Sequence, residues 1–173
     1  MLKVQNLKPI LKWVGGKRQL LHEIMPLIPD NISVYVEPFV GGGAVLFEYQ
    51  PKRAIINDYN EELMNVYKVI KESPDELIKI LITHKENNSK KYFYTIRAVD
   101  REEDYMEKFS NVERAARTIF LNKTCYNGLY RVNSKGQFNT PYGRYKNPNI
   151  VDEQLIYAIS EYFNKNDITI MNS

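Results

Sequence analysis

The sequence has little cysteine and no long apolar run. Cys125 is the one cysteine in 173 residues, which excludes an internal disulfide framework and is typical of a reducing compartment. No stretch approaches the roughly 20 consecutive apolar residues of a membrane span, and the N-terminal residues lack the apolar run of a signal peptide. Hydrophobic residues make up 43% and charged residues 26%, which excludes disordered and fibrous proteins. We therefore expect a soluble, cytoplasmic protein that binds neither a membrane nor a metal.

Acidic residues are absent from one long segment. Between Arg114 and Ile150 there is no Asp or Glu, whereas seven of the 24 basic residues lie there. The rest of the chain holds 17 basic and 21 acidic residues, a net charge of −4. Aromatic residues are interleaved with these cations: Phe120, Tyr126, Tyr130, Phe138, Tyr142 and Tyr145. Cations for phosphates beside rings for bases are typical of a nucleic-acid surface, although a solvated basic face over packed tyrosines is the alternative.

The order of the predicted elements indicates an α/β fold. Strands are predicted at 34–38 and 54–58, with a glycine turn and a helix at 44–48 between them, and a third strand at 168–171. Helices are predicted from Asp58, from Ser73, and over 88–101, 111–124 and 152–163. Residues 133–136 are a good hairpin turn. These patterns predict a sheet domain of residues 1–61 and 164–173 and a mainly helical insertion of residues 62–163. His84, in a polar helix end, is predicted to lie at the surface.

Two motifs are typical of a site that binds a nucleotide-like ligand. The glycines of Phe39-Val40-Gly41-Gly42-Gly43 allow positive φ and let a ligand approach the main chain after a strand. Asp58, at the end of the next predicted strand, stands where an acid commonly accepts hydrogen bonds from ribose hydroxyls. Together they favour an adenosine-containing ligand, although a tight turn and a helix-capping aspartate would give the same pattern. Trp13 and Lys17 could offer a ring face and a cation, and Trp13 could equally be a core residue.

These motifs, in this order, resemble the Dam-type DNA adenine N6-methyltransferases. KWVGGKRQLL, EPFVGGGAVLF and INDYNEELMNVY look like the N-terminal half of that family, and CYNGLYRVNSKGQFNTPYGRYKNP is similar to its target-recognition hairpin. The resemblance implies a Rossmann-like methyltransferase sheet with an inserted, mainly helical DNA target-recognition domain whose β-hairpin covers about 125–146. It also implies S-adenosylmethionine as cofactor and double-stranded DNA, usually at GATC, as partner. The implied cofactor contacts are Trp13, Lys17, Phe39, Gly41, Gly43 and Asp58.

The resemblance also assigns roles in the recognition segment. Tyr126 would stack or intercalate beside the target site, and Asn127 and Leu129 would support the opened duplex. Arg131 would read guanine, which agrees with the bidentate contact that an arginine can make to O6 and N7. An aromatic ring can likewise replace the stacking that is lost when a base is flipped out. Arg144 would hold a phosphate, and Lys123 and Lys135 are further residues predicted to bind DNA.

One family motif does not occur in the sequence. The catalytic Asp-Pro-Pro-Tyr segment, which would follow the third strand, is absent, and Asn139-Thr140-Pro141-Tyr142 lacks its first proline and lies in the recognition segment. We therefore expect an incomplete sheet domain and a chain that is inactive and poorly stable alone, with a second chain as one possible source of the missing half. The alternatives to a methyltransferase are a non-catalytic DNA-binding remnant and, with less support, a nucleotide-dependent oxidoreductase. The missing G-x-G-x-x-G counts against the oxidoreductase.

Overall fold

The computed structural model describes residues 7–173, so the first six residues of the predicted sheet domain lie outside it. Within this range the chain forms three strands, β1 Tyr35–Glu37, β2 Arg53–Ile56 and β3 Asp167–Ile170. The α-helices of the same range are α1 Leu21–Ile24, α2 Ala44–Tyr49, α3 Glu61–Glu72, α4 Pro74–Glu86, α5 Lys90–Ala98, α6 Tyr105–Lys108, α7 Asn111–Thr124 and α8 Glu153–Lys165. Short 3₁₀ turns cover Lys17–Leu20, Met25–Leu27, Val99–Arg101 and Tyr126–Gly128.

The three strands form one parallel sheet in the order β1-β2-β3, which confirms the predicted α/β class. Tyr35 pairs with Ala54, and Ala54 in turn pairs with Ile168. The second strand ends at Ile56, two residues earlier than predicted, so Asp58 stands in the loop beyond it. There its carboxylate accepts hydrogen bonds from Gly41 N in the glycine turn and from Asn60 N in its own loop.

The two faces of this sheet differ in burial. Ala54, Ile56 and Ile168 are each at most 2% exposed and pack into the core. On the opposite face Val36 is 56% exposed and Thr169 is also exposed. A parallel sheet is normally covered on both faces, so within the described residues this one is half covered.

Local sequence signals explain where the long helices begin. The Asn60 side chain accepts a hydrogen bond from Leu63 N at 2.9 Å and caps α3. Ser110 and Glu113 form a capping box at the start of α7, which has the predicted bounds. The helix predicted over 88–101 is α5 followed by a 3₁₀ turn at Val99–Arg101, and the predicted Ser73 helix is α4.

His84 is buried, so the prediction of a surface histidine was wrong. Its ring stacks on Phe120 with centroids 4.9 Å apart, and its Nδ1 lies 2.8 Å from the Tyr92 hydroxyl. Burial lowers the pKa of His84 to about 4. The local sequence is polar, but α5 and α7 fold over this side of α4 and enclose the ring.

A continuous hydrophobic cluster links the sheet to the helices. It joins Phe47 of α2 and Ile56 of β2 to Tyr67 of α3, Phe120 of α7 and Phe163 of α8. The ring of Phe163 stacks on Phe47 at 6.1 Å and meets Tyr67 edge-on at 6.1 Å. The helices therefore pack directly on the sheet, and the division into 1–61 with 164–173 and 62–163 stays a prediction. No helix in the described range is long and apolar enough to cross a membrane.

Candidate functional site

A cavity of about 270 Å³ lies at the edge of the sheet where β1 and β2 end. Its walls come from three segments: the 13–17 loop, the glycine turn after β1 and the loop after β2. The predicted cofactor residues Trp13, Lys17, Phe39, Gly41 and Asp58 all line it. The carboxyl end of parallel strands is the usual ligand site of such sheets.

The backbone of the glycine turn takes a conformation that residues with a side chain rarely adopt. Gly41 has φ 51° and Gly43 has φ 75°, both left-handed. Gly43, also a member of the predicted site, does not line the cavity, and a Cβ atom on it would lie 2.8 Å from the Phe47 ring. The Tyr67 hydroxyl donates to Gly41 O at 2.7 Å and fixes the turn from below. The turn is therefore a rigid floor of the cavity.

Asp58 ties the glycine turn to the loop after β2. Its Oδ2 accepts from Gly41 N at 3.0 Å, and its Oδ1 accepts from Asn60 N at 3.0 Å. Each carboxylate oxygen has a second lone pair, so the half-buried group can still accept hydrogen bonds from a ligand in the cavity. Asp58 thus combines the structural role and the ligand-facing position that its sequence context left open.

Lys17 is held by a buried glutamate that the sequence interpretation did not single out. The Lys17 ammonium donates to Glu37 Oε1 at 3.1 Å and to Phe39 O at 2.9 Å. Glu37, whose residue is 7% exposed, also accepts from the Tyr35 hydroxyl at 2.8 Å. Because burial of an ionised carboxylate requires partners, an acid at the end of a predicted buried strand was the signal that could have identified Glu37.

Trp13 offers less free ring surface than expected. One face of its indole stacks on Tyr130, with centroids 4.7 Å apart and planes 29° apart. The edge of the indole packs against Gly41, because a Cβ atom on this glycine would lie 3.1 Å from Trp13 Cδ1. Trp13 therefore forms a wall between the cavity and the 125–146 segment, whereas Phe39, 74% exposed, presents the larger free ring.

The chemistry of this cavity fits S-adenosylmethionine. Lys17 has a third N–H for a carboxylate, Asp58 has acceptor capacity for hydroxyls, and Phe39 has an open ring for a flat base. The carboxylates of Glu37 and Asp58 also suit a ligand that carries positive charge. No group of three or more metal-ligating side chains occurs within residues 7–173.

The segment 125–146 folds as a narrow loop with hairpin pairing at two points. Val132 forms an antiparallel bridge with Phe138, and Cys125 forms another with Tyr142. Between the arms Gly136 N donates to Asn133 O at 3.0 Å and closes the predicted turn. In place of the regular ladder of a two-stranded hairpin, the structure has these isolated bridges.

One arm of this loop is fastened to the helical body. The Asp100 carboxylate accepts from Phe138 N at 2.7 Å and pairs with Arg117 at 2.9 Å. Arg101 donates to Phe138 O at 3.1 Å, and Arg97 donates to Thr140 O at 3.3 Å. The arm 138–140 therefore has a fixed position relative to α5 and α7.

The predicted DNA-contacting residues lie along the outside of this loop. Tyr126 is 54% exposed, and Asn127 beside it is exposed with φ 55°. Leu129 is half-buried and its carbonyl accepts from the Thr140 hydroxyl at 2.6 Å. Arg131 is exposed, and its Nε donates to Asn139 Oδ1 at 2.7 Å.

The cations of the basic segment fall into two groups. Lys135 and Arg144 are exposed. Lys123 is half-buried on α7. Burial lowers its pKa, and the neighbouring cations Lys8 and Lys12 lower it further, whereas Asp152 acts to raise it.

Two arginines of the acid-free segment are structural. Arg114, 5% exposed, donates to Glu61 and Glu62 at 3.0 Å each, and Arg117 pairs with Asp100. Composition alone counted both toward the basic surface, because it cannot distinguish a buried ion pair from a free cation.

The sequence as a whole matches a known enzyme family. A family model described as D12 class N6 adenine-specific DNA methyltransferase matches residues 13–173. The chain belongs to this methyltransferase family. The match decides against the oxidoreductase interpretation and agrees with the missing dinucleotide fingerprint.

Curated relatives of the chain include type II methyltransferases and DNA adenine methylases. The type II methyltransferase M1.LlaDCHI of Lactococcus lactis subsp. cremoris is 53% identical over 167 residues, 96% of this chain and 58% of that protein. The type II methyltransferase M.MjaIII of Methanocaldococcus jannaschii is 48% identical over 176 residues, 90% of this chain and 59% of that protein. The DNA adenine methylase of Serratia marcescens is 36% identical over 153 residues, 87% of this chain and 54% of that protein. The chain thus spans between 54% and 59% of the length of these relatives.

A buried asparagine joins the wall of the cavity to the 125–146 segment. Asn122 of α7 is 1% exposed, accepts from Lys12 N at 3.0 Å and donates to Lys12 O at 2.8 Å. It also donates to Gly128 O at 3.1 Å. The segment that carries Trp13 and the start of the 125–146 segment are therefore held by one side chain, a link over more than 100 residues that local sequence patterns do not reveal.

Proposed function

We propose that this chain supplies the cofactor-binding and DNA-recognition parts of an enzyme that transfers a methyl group from S-adenosylmethionine to the N6 amine of adenine in duplex DNA, at GATC. The observation that carries the proposal is the shared wall between the two sites. Trp13 lines the cavity on one side and stacks on Tyr130, next to Arg131, on the other. A cofactor in the cavity and a duplex on the loop would then meet at this wall.

In the cofactor site, Lys17 pairs with the carboxylate of S-adenosylmethionine and Asp58 accepts from its ribose hydroxyls. Phe39 and the Gly41–Gly43 turn pass under the base, and Trp13 closes the methionine end. When bound, the cofactor supplies the electrophilic methyl group. The contribution of these residues is to orient the ligand and to exclude water from one side of it.

On the DNA, Tyr126 fills the stack from which adenine is extruded, and Asn127 and Leu129 support the opened pair. Arg131 reads a guanine through O6 and N7. Lys135 and Arg144 bind phosphates, and Lys123 contributes positive potential from the groove it shares with Lys8 and Lys12. The relatives named type II methyltransferases support a role in restriction-modification.

Methyl transfer also requires groups that act on the adenine amine. This amine is a poor nucleophile because its lone pair is delocalised into the ring. In the proposed enzyme an Asp-Pro-Pro-Tyr segment, which these 173 residues do not contain, accepts hydrogen bonds from the amine and stacks on the flipped base. The residues described here bind and position both substrates for that step.

The cofactor site is tested by calorimetry of S-adenosylmethionine binding. Asp58→Ala removes an acceptor from the cavity and is expected to weaken binding by about 1–3 kcal/mol. Asp30→Ala, at an exposed aspartate outside this cavity, is the matched control. Asp58→Asn keeps one of the two acceptor oxygens, for Gly41 N or Asn60 N, and is also expected to weaken binding. Equal affinities of the wild type and both Asp58 variants would remove this residue from the site.

The DNA site is tested by titration of duplexes over a range of salt concentrations. Lys135→Ala and Arg144→Ala are expected to weaken binding to all sequences alike and to reduce the salt dependence. Arg131→Ala is expected to lose about 1–3 kcal/mol of preference for GATC over a scrambled site. An unchanged preference would refute its reading role. Transfer of labelled methyl groups to GATC duplex separates the methyltransferase from a DNA-binding remnant without turnover.

A further inference from the structure

Arg131 does not stand alone on the recognition loop. Across the loop its Nε donates to Asn139 Oδ1 at 2.7 Å, and its carbonyl accepts from Asn139 N at 3.0 Å. The two residues are thus joined by a main-chain bond and a side-chain bond. The side-chain bond fixes the plane of the guanidinium group, because Nε lies in that plane and Oδ1 approaches it from the facing arm.

Asn139 lies on the arm that is fixed to the body of the protein. The neighbouring Phe138 is bonded through N to Asp100 at 2.7 Å and through O to Arg101 at 3.1 Å. Thr140, 1% exposed, donates from its hydroxyl to Leu129 O at 2.6 Å. Asn139 therefore has a fixed backbone on both sides, and its side chain can serve as the reference against which Arg131 is oriented.

The bond to Asn139 determines which edge of Arg131 remains for DNA. With Nε engaged, Nη1 and Nη2 are the groups without a protein partner anywhere in residues 7–173. These two nitrogens present coplanar N–H donors at the end of the side chain, with the spacing that O6 and N7 of guanine accept. The side-on alternative, through Nε and one Nη, is blocked as long as Asn139 holds Nε.

We propose that Asn139 is a positioning residue that orients Arg131 for end-on reading of guanine. The inference rests on the proposed role of Arg131 and deepens it. Without the Asn139 side chain, the arginine must be ordered at the moment of binding, which reduces affinity for the guanine-containing site by about 2- to 12-fold. Binding that depends on phosphates alone does not need this order and stays unchanged.

The test measures the affinity of the chain for a GATC duplex and for the same duplex with 7-deazaguanine in place of guanine. The substitution removes N7 and leaves the phosphates unchanged. The ratio of the dissociation constant for the 7-deazaguanine duplex to that for the GATC duplex therefore reports the guanine contact. Asn139→Ala is expected to lower this ratio by up to about 12-fold, with a smaller loss of affinity for the 7-deazaguanine duplex, which keeps only the O6 contact. Asn139→Asp retains an acceptor for Nε, so it is expected to restore the ratio while its charge weakens binding to both duplexes.

Two further variants complete the design. Asn149→Ala removes an exposed asparagine of the same acid-free segment, outside the loop, and is expected to leave the ratio unchanged. In the Arg131→Ala background, Asn139→Ala is expected to cause no additional loss, because the group it orients is gone.

The outcomes distinguish this inference from the function on which it rests. If Arg131→Ala lowers the ratio and Asn139→Ala does not, the positioning role is wrong and the reading role stands. If Arg131→Ala leaves the ratio unchanged, or the wild type does not distinguish the duplexes, the reading role fails and this inference with it. If Asn139→Asp fails to restore the ratio, the amide acts on DNA directly and the positioning role is again refuted. A role in loop stability alone would weaken binding to both duplexes alike and would lower the melting temperature.

Discussion

The buried histidine of α4 makes the stability of this protein depend on pH. His84 is 8% exposed, stacks on Phe120 and has Nδ1 2.8 Å from the Tyr92 hydroxyl. Burial lowers its pKa from 6.5 to about 4, because the enclosed ring loses the solvation that a cation needs. We predict that the protein loses stability as the pH falls from about 6.5 to about 4.

The sign and size follow from proton linkage. Above pH 6.5 the histidine is neutral in both states, so the folded state keeps its full stability. Below that pH the unfolded chain binds the proton first, and unfolding becomes more favourable until the folded pKa of about 4 is reached. The difference between the two pKa values corresponds to about 3 kcal/mol in total, of which about 2 kcal/mol is lost between pH 7 and pH 5.

The assay is urea unfolding at pH 7, 6 and 5, with His84→Gln beside the wild type. Glutamine does not titrate in this range and can still bond the Tyr92 hydroxyl, so the variant is expected to lose about 2 kcal/mol less than the wild type over the same interval. His22→Gln is the control, because the His22 side chain is 74% exposed. Parallel curves for the wild type and His84→Gln would refute the reasoning, since carboxylates common to both would then explain the whole dependence.

Three further predictions concern the core, the stack and the link between the sites. Ile56→Ala, at 0% exposure, is expected to cost about 2–5 kcal/mol in urea unfolding, whereas Val36→Thr on the open sheet face should change stability by at most about 0.5 kcal/mol. Tyr130→Leu removes the partner of Trp13 and is expected to weaken cofactor binding by about 0.5–1.5 kcal/mol in calorimetry, with Tyr130→Phe unchanged. Asn122→Leu leaves three backbone groups unpaired and is expected to lower stability by about 3 kcal/mol or more, measured by thermal melting.

Local signals sufficed for the parts of the fold that depend on near neighbours. The glycine turn was predictable because Gly41 and Gly43 take positive φ, a conformation that the residue type itself permits. The bounds of α7 were predictable because its capping box lies within four residues of sequence. The parallel strands were predictable because short apolar runs flanked by turn residues favour buried strands.

Other features depend on contacts between distant residues and could not be predicted. The burial of His84 depends on α7, whose Phe120 lies 36 positions further along the chain. The pairing of Arg114 with Glu62 spans 52 positions, so the composition of the acid-free segment overstated its free charge. The bond between Arg131 and Asn139 lies within the loop, but it depends on the register of two arms with irregular pairing.

The arrangement around Asn122 explains how an irregular loop can hold a defined position beside the cofactor cavity. Backbone groups that leave water must be bonded, and here one amide bonds both Lys12 groups and Gly128 O inside the protein. Gly128, with φ 66°, has no Cβ, which would otherwise lie 2.5 Å from the Lys12 side chain, so the two segments can touch. Trp13, directly after Lys12, and Tyr130, two residues after Gly128, then meet as a stack. The wall between the proposed cofactor and DNA sites is therefore set by buried contacts of the helical body, and the exposed arm with Arg131 starts from this fixed base.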